Sequence, residues 1–199
     1  MLISVDKRLV LFSMPKCGSS AFLAALGPHF GATFAGPARM KHTPFHKYNK
    51  FLKPYLATFT DQPFETVCLF RQPLDWHQSW WRYRQRPRAL RKGTSTASMT
   101  FAEFIEHNLA DSDRAARVGN QSRFVTAPDG GIGMDRIFRY ENIGECHAYI
   151  CERLGVSVPL AQVNVSPVRA VATPPPPELI ARHRAVYERD FEIYENVAV

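Results

Sequence analysis

The chain has 199 residues, of which 45% are hydrophobic and 22% charged, which allows one domain with a hydrophobic core and argues against wholesale disorder. The formal net charge of +7 favours an anionic partner: a nucleotide, an acidic substrate, nucleic acid or a membrane surface. No apolar run reaches the ~18 residues that a membrane span needs, and the N-terminus lacks the order of a signal peptide. We therefore expect a complete, cytoplasmic chain without a membrane span.

The first predicted unit is a strand, a loop and a helix. Residues 8–13 form a short, continuous apolar run that is typical of a buried strand. Proline and glycine in residues 14–19 predict a loop, and residues 21–26 are helix formers that end at Gly27. This order is that of the opening unit of a nucleotide-binding α/β fold.

The middle of the chain predicts a second buried strand and two helices. The strand covers residues 66–70, and the helix after it begins at Pro73, which suits a first helical turn, and ends by Pro87. Thr100 and Glu103 match a capping box ahead of an apolar-periodic stretch, which predicts the next helix.

The C-terminal part predicts a third strand over residues 135–140 and a helix over residues 143–154 that Gly155 closes. Four prolines at 174–177 form a stiff spacer before a last amphipathic helix through residues 179–191. Strands that alternate with helices predict an α/β fold of three layers, with a mostly parallel central sheet flanked by helices.

The chain shows no internal repeat and no linker long enough to divide it, so we expect a single domain over residues 1–199. Its cysteines have none of the C-x-x-C spacings of zinc sites and redox dithiols, so we expect no metal site. We interpret them as reduced structural thiols. They are Cys17, Cys68, Cys146 and Cys151.

The loop after the first strand has the features of an anion-binding turn. It is not a Walker A loop, because its lysine precedes the glycine by two residues. Gly18 lets the backbone approach an anion, the amides of residues 17–21 converge at a helix N-terminus, and Lys16 adds a mobile charge. The alternative is an ordinary turn with a solvent-facing lysine. The predicted anion-binding residues are Lys16, Cys17, Gly18, Ser19, Ser20 and Ala21.

A second set of anion-binding side chains follows the second strand. Arg71 comes directly after that strand, and Ser79 lies eight residues later on the next helix. Because ligands of open α/β sheets bind at the carboxyl ends of the strands, both side chains would face the same crevice as Lys16. An arginine fork with a nearby hydroxyl suits a terminal phosphate. The alternative is an internal ion pair for Arg71 and no role for Ser79.

These two elements resemble those of the sulfotransferases that depend on 3′-phosphoadenosine 5′-phosphosulfate (PAPS). Residues 15–20 are similar to the family's lysine-bearing loop, which binds the 5′-phosphosulfate. Arg71, Pro73 and Ser79 match the family's R-x-P-x-x-x-x-x-S element, which binds the 3′-phosphate. The resemblance covers most of the chain, and these two elements are its specific part.

The rest of the resemblance is looser and points to the bacterial and carbohydrate branch. Residues 135–141 resemble the family's later strand, and residues 164–166 with the final helix resemble its C-terminal region. Two positions depart from the family pattern. Ala21 stands where cytosolic members carry a tryptophan that stacks on adenine, and Trp76 stands where many bacterial members carry an arginine. The mode of adenine recognition therefore stays open.

The resemblance implies a P-loop-like fold and in-line transfer of a sulfuryl group from PAPS to a hydroxyl or amine acceptor. Lys16 would stabilise the charge on the departing phosphate oxygen. No metal is expected, because lysine and backbone donors occupy the role that Mg²⁺ fills in kinases. The implied acceptor is a small molecule or a carbohydrate, which could be anionic; the oligomeric state is not indicated.

The acceptor needs a general base, and residues 40–46 resemble the family's Lys/His-containing segment ahead of the second phosphate element. His42 is our first choice and His46 the second, since an imidazole pKa near ~6.5 suits proton removal at neutral pH. A structural or surface histidine is the alternative for either. Glu65 and Asp61 remain as acidic alternatives.

Three other functions are the rivals of sulfuryl transfer. A small-molecule kinase would need the Walker placement of lysine, which is absent. A nucleic-acid-binding module could use the basic run of residues 82–92, which could also bind an anionic acceptor, but we favour a solvated surface there. Tryptophans at helical spacing beside that run are more often core, so we expect no nucleic-acid partner. A nucleotide-binding relic without activity is the third rival.

Overall fold

The computed structural model describes residues 1–160 and 173–197, and these group into two compact units. The first unit is the described part of Met1–Arg71, Gln121–Asn164 and Asn196–Val199. The second unit is the described part of Gln72–Asn120 and Val165–Glu195. The expectation of a single domain stays a prediction.

The first unit contains a five-stranded sheet in the order β3-β1-β2-β4-β5. Strands β2, β4 and β5 pair in parallel, whereas β1 runs antiparallel to both β2 and β3. The predicted α/β class with a parallel core flanked by helices is therefore confirmed. The strands are β1 (Leu2–Ser4), β2 (Leu9–Leu11), β3 (Ala32–Thr33), β4 (Glu65–Phe70) and β5 (Arg136–Arg139).

The register of the parallel strands brings two loops to one edge of the sheet. Leu11 lies opposite Val67, and the amide of Phe12 donates to the carbonyl oxygen of Val67 at 2.8 Å. Both strands are apolar and buried on both faces, as the sequence predicted. The segments that follow β2 and β4 consequently begin at the same carboxyl edge.

The helices follow the local signals of the sequence where those signals are strong. Thr100 and Glu103 form the predicted capping box, and Gly155 ends its helix at φ 73°. The last predicted helix is divided in two at Tyr187. The helices are α1 (Ser19–Leu26), α2 (Ala38–Lys41), α3 (Phe45–Lys47), α4 (Lys53–Leu56), α5 (Pro73–Arg84), α6 (Pro87–Leu90), α7 (Phe101–Leu109), α8 (Ser122–Val125), α9 (Ile143–Leu154), α10 (Pro177–Val186) and α11 (Glu188–Asn196), with a π-helical turn at Tyr48–Leu52 between α3 and α4.

The second unit is built from α5, α6, α7, α10 and the greater part of α11. Its core includes Trp81, Phe104, Ile105 and Leu179, all buried. The indole nitrogen of Trp81 donates to the carbonyl oxygen of Met99 at 2.9 Å, which satisfies its polar group inside the core. The interpretation of helically spaced tryptophans as core therefore agrees with the burial of Trp81.

The four cysteines are all buried and none is paired with another, in agreement with reduced structural thiols. Burial raises the pKa of the Cys146 thiol to about 12, which keeps it protonated at neutral pH. Among the helices of residues 1–160 and 173–197, none combines the length and the hydropathy that crossing a membrane requires.

Candidate active site

The loop between β2 and α1 has an unusual backbone at two positions. Lys16 lies at φ 66° and Gly18 at φ 70°, both in the left-handed region. A Cβ atom at Gly18 would also lie 2.6 Å from Cδ1 of Ile143, so this position requires glycine for conformation and for space. A lysine in the left-handed region costs about 1 kcal/mol or more, and such conformations cluster at functional sites.

The amides of this loop divide into two groups. The amide of Cys17 donates to the carbonyl oxygen of Met14 at 3.4 Å, and that of Ala21 donates to the carbonyl oxygen of Gly18 at 2.9 Å. Within the predicted set, the amides of Gly18, Ser19 and Ser20 therefore stay the candidates for anion binding, at the N-terminus of the eight-residue helix α1. Cys17 and Ala21 are buried and contribute to the shape of the turn.

Arg71, directly after β4, reaches the lysine loop. Its Nη1 donates to the carbonyl oxygen of Lys16 at 3.3 Å, and its guanidinium carbon lies 4.5 Å from the ring centroid of Tyr140. Its Nε is buried and has no hydrogen-bond partner among the described residues. The structure thus brings Arg71 to the lysine loop and leaves a buried cationic donor of Arg71 that a phosphate oxygen would satisfy.

Gln121 joins these elements, and sequence reasoning did not find it. Its Oε1 accepts from the backbone amide of Arg71 at 3.0 Å, and its Nε2 donates to the carbonyl oxygen of Arg71 at 2.7 Å. The thiol of Cys17 donates to the same Oε1 at 3.6 Å. The side-chain amide of Gln121 thus pairs with the backbone of Arg71 as a residue of a neighbouring strand would. Because Gln121 is fully buried, these bonds hold the Arg71 backbone in place next to the lysine loop.

His42 follows α2 and is half-buried beside the end of β2. Its Nδ1 lies 2.6 Å from the carbonyl oxygen of Ser13. A carbonyl oxygen only accepts, so Nδ1 carries the proton and Nε2 is left as the acceptor. Burial lowers the pKa of His42, and the cations of Lys41 and Lys16 lower it further, while the bond to Ser13 opposes them. The imidazole is therefore neutral at neutral pH, as a general base requires.

Lys41 adds a second cation beside the lysine loop. Its Nζ donates to Oγ of Ser20 at 3.2 Å, and burial lowers its pKa. Lys41 belongs to the Lys/His-containing segment of residues 40–46, and the sequence alone indicated no role for this lysine. The structure thereby connects that segment to the N-terminus of α1.

The other candidate residues are placed as follows. His46 lies on α3 with an exposed side chain, and Ser79 lies half-buried on α5 in the second unit, so its predicted approach to Arg71 stays a prediction. Glu65 begins β4, at the end of that strand opposite to Arg71, and pairs there with Arg153. Six residues of strand span about 20 Å, which removes Glu65 as the base.

The looser parts of the resemblance have mixed outcomes. Strand β5 ends at Arg139, directly before Tyr140, so the stretch of residues 135–141 supplies the aromatic ring that contacts Arg71. Residues 164–166 lie outside the described residues.

The basic run of residues 82–92 includes an arginine with a structural role. Arg84 donates to the carbonyl oxygens of Ala115 and Arg117 at 2.7 and 2.9 Å.

An α/β sheet whose neighbouring parallel strands deliver a lysine loop and an arginine to one edge defines a candidate phosphate-binding site. The fold is similar to that of a solved structure from Alicyclobacillus acidocaldarius, described as a sulfotransferase. The two chains are 16% identical over 94% of each, with a TM-score of 0.46. Comparison with protein-family models and with curated proteins finds no match.

Proposed function

We propose that this protein is a PAPS-dependent sulfotransferase that acts, without a metal, on a hydroxyl or amine of a small-molecule or carbohydrate acceptor. The observation that carries the proposal is the 3.3 Å hydrogen bond from Arg71 to the carbonyl oxygen of Lys16, which joins the lysine loop and the arginine in one site. We also propose a cytoplasmic location, with which four unpaired, buried thiols agree.

The residues present suit a donor that is anionic at both ends. Lys16 and the amides at the start of α1 would bind the 5′-phosphosulfate. The buried Nε of Arg71, without a partner among the described residues, suits an oxygen of the 3′-phosphate, to which Ser79 would add a hydroxyl. The ring of Tyr140 keeps the guanidinium in place from one side.

PAPS supplies an activated sulfuryl group, whose S–O bond to the 5′-phosphate breaks as the acceptor oxygen or nitrogen bonds to sulfur. Lys16 stabilises the electron pair that stays on the departing phosphate oxygen, and Lys41 adds positive charge beside Ser20. His42 takes the acceptor proton at Nε2, while its Nδ1 stays bonded to Ser13 and orients the ring. Positioning and charge stabilisation supply the catalysis, as in phosphoryl transfer.

Calorimetry separates this proposal from its rivals. The protein is titrated with 3′,5′-ADP, 5′-ADP, ATP with Mg²⁺, and single-stranded DNA. We expect 3′,5′-ADP to bind most tightly, and Arg71→Ala to abolish the discrimination between 3′,5′-ADP and 5′-ADP. Preference for ATP with Mg²⁺ would identify a kinase, and preference for DNA a nucleic-acid-binding module.

Screening acceptor classes with labelled PAPS then tests activity. We expect transfer to at least one class of hydroxyl or amine acceptor. Tight binding of 3′,5′-ADP without transfer to any acceptor class would instead indicate a nucleotide-binding relic.

A further inference from the structure

Three aromatic side chains lie exposed in a row between α3 and the start of β4. Phe51, Tyr55 and Phe59 follow one another at intervals of four residues, and their exposed fractions are 62%, 62% and 58%. Tyr48 and Leu56 of the same segment are buried, so the segment is anchored to the first unit by other side chains. We call Phe51, Tyr55 and Phe59 the aromatic row. Clustered exposed apolar side chains of this kind mark binding surfaces.

Three lysines accompany the aromatic row, and the first acidic residue after it in sequence is Asp61, two positions beyond Phe59. Lys47, Lys50 and Lys53 are all exposed, and Nζ of Lys50 lies 5.3 Å from the ring centroid of Phe51. The sequence contains no aspartate or glutamate between Asp6 and Asp61. The excess of positive charge along this segment favours a partner that is anionic as well as able to receive apolar rings.

We propose that the aromatic row and its three lysines bind the surface of an anionic membrane. Exposed rings that enter the interfacial region, beside lysines that meet anionic headgroups, are the features of interfacial helices. Single-stranded nucleic acid fits less well, because the rings of Tyr55 and Phe59 are inclined at 84° and do not offer parallel faces to successive bases. A bilayer interface has no such requirement.

This surface is independent of the proposed transfer activity. None of its residues has a role in the PAPS binding or in the transfer step proposed above. Membrane binding and sulfuryl transfer can therefore be present or absent separately.

Vesicle cosedimentation tests the proposal, with vesicles of phosphatidylcholine alone or of phosphatidylcholine with phosphatidylserine. We expect binding to the anionic vesicles only, and its loss at high salt. Changing Lys47, Lys50 and Lys53 to Glu should abolish binding, since each lysine near an anionic surface contributes about fivefold. Changing Phe51, Tyr55 and Phe59 to Ala should weaken it by about tenfold or more, through the apolar area lost from the interface.

Matched control variants make this outcome specific. One control changes three exposed apolar residues elsewhere to Ala, and another changes three exposed basic residues of a different run to Glu. We expect both controls to bind the anionic vesicles as the unchanged protein does. The apolar control is Leu90, Ile132 and Val186, with exposed fractions of 70%, 46% and 63%, and the basic control is Arg88, Arg91 and Lys92.

Three results would overturn the proposal. The first is no binding to anionic vesicles, and the second is an equal loss in the control variants. The third is another occupant of the surface, seen either as self-association in size-exclusion chromatography that the aromatic-row variant loses, or as displacement from the vesicles by single-stranded DNA. Circular dichroism of each variant verifies that it is folded, which exposed substitutions should preserve.

Discussion

Lys16 combines a cationic side chain with a left-handed backbone at φ 66°. For Lys16→Ala we expect turnover to fall by about 10²–10³, because the departing phosphate oxygen loses its charge stabilisation. Binding of 3′,5′-ADP should be partly retained, because Arg71 and the loop amides remain. Transfer kinetics and calorimetry measure the two effects, with the exposed Lys7→Ala as control. Unchanged turnover would remove Lys16 from the mechanism.

His42 gives the proposed reaction a defined pH dependence. Burial lowers its pKa below the ordinary value of about 6.5. A lowered pKa leaves more of the imidazole unprotonated at any given pH, so kcat/KM should stay high below pH ~6.5 and fall only as Nε2 becomes protonated. His42→Ala should be slow with near-normal affinity for 3′,5′-ADP.

The exposed His46 supplies the control for this prediction. His46→Ala should keep both the rate and the pH profile of the unchanged protein. Full activity of His42→Ala, or loss of activity in His46→Ala, would transfer the role of base to His46 or to another group.

Gln121 acts through Arg71, so its test needs a readout beyond stability. For Gln121→Ala we expect about tenfold weaker binding of 3′,5′-ADP and a smaller change for 5′-ADP, because the loss of about two hydrogen bonds frees the Arg71 backbone. Asn108→Ala is the matched control: Asn108 is buried in the second unit and donates to the carbonyl oxygen of Ala116 at 2.9 Å. That variant should lose stability and keep nucleotide affinity. Equal affinity changes in both would reduce Gln121 to a packing role.

Among the structural elements, the turn into α1 depends on Gly18. Gly18→Ala should cost about 1–3 kcal/mol, because a side chain is strained at φ 70° and its Cβ would lie 2.6 Å from Cδ1 of Ile143. Gly155→Ala is the control, since Gly155 has φ 73° but no atom within 4 Å of the added Cβ, and should cost about 1 kcal/mol. Denaturant unfolding measures both. An equal loss of unfolding free energy in Gly18→Ala and Gly155→Ala would show that the Ile143 side chain moves away from the added Cβ atom.

The elements that the sequence predicted are those whose signals are local. β4 is a continuous buried apolar run, α7 has its capping box and α9 ends at Gly155. Strands β1 and β3 were not predicted, whereas β2, which also has three residues, lies inside the apolar run of residues 8–13. Strand β1 is defined by antiparallel pairing with β2 and β3, and β3 has two residues, both exposed. Runs this short carry no readable periodicity.

The same distinction applies to the candidate site. Lys16 and Arg71 were found because each belongs to a spaced motif after a strand. Gln121 and Tyr140 were not, since Gln121 pairs with the backbone of a residue 50 positions away and Tyr140 contacts Arg71 through its ring face. Backbone partners impose no residue type on the chain, so such pairs leave no pattern in one sequence.

At the scale of the whole molecule, stability should fall in acid through two buried histidines of the second unit. Nε2 of His183 lies 3.1 Å from Nδ1 of His77, which also bonds to the carbonyl oxygen of Pro73 at 2.9 Å. Burial lowers the pKa of His77 to about 3 and that of His183 to about 4. The ring of Tyr187 contacts the imidazole rings of both histidines. Asp190 is a further buried titratable residue of this unit.

The sign of the effect follows from these pKa values. Below pH ~6.5 the unfolded chain binds protons at both positions while the native pair stays neutral, so the free energy of unfolding should fall by up to about 1.4 kcal/mol per pH unit for each histidine. The contribution of His183 should end near pH 4 and that of His77 near pH 3, where each ring becomes protonated in the native state.

Denaturant unfolding between pH 7 and 4 checks this prediction. Combined substitution of His77 and His183 by Gln should flatten the slope, whereas the exposed His29→Gln should leave it unchanged. A slope that persists in the double variant would assign the acid sensitivity to other groups.

The residues of the candidate site are far apart in the sequence, so the ribosome synthesises them at different times. Lys16, His42 and Arg71 leave the ribosome well before Gln121 and Tyr140. A nascent chain that ends after Arg71 carries the charges but lacks the amide and the ring that fix the arginine. We therefore expect the proposed nucleotide affinity to be complete only after Gln121 and Tyr140 have been synthesised.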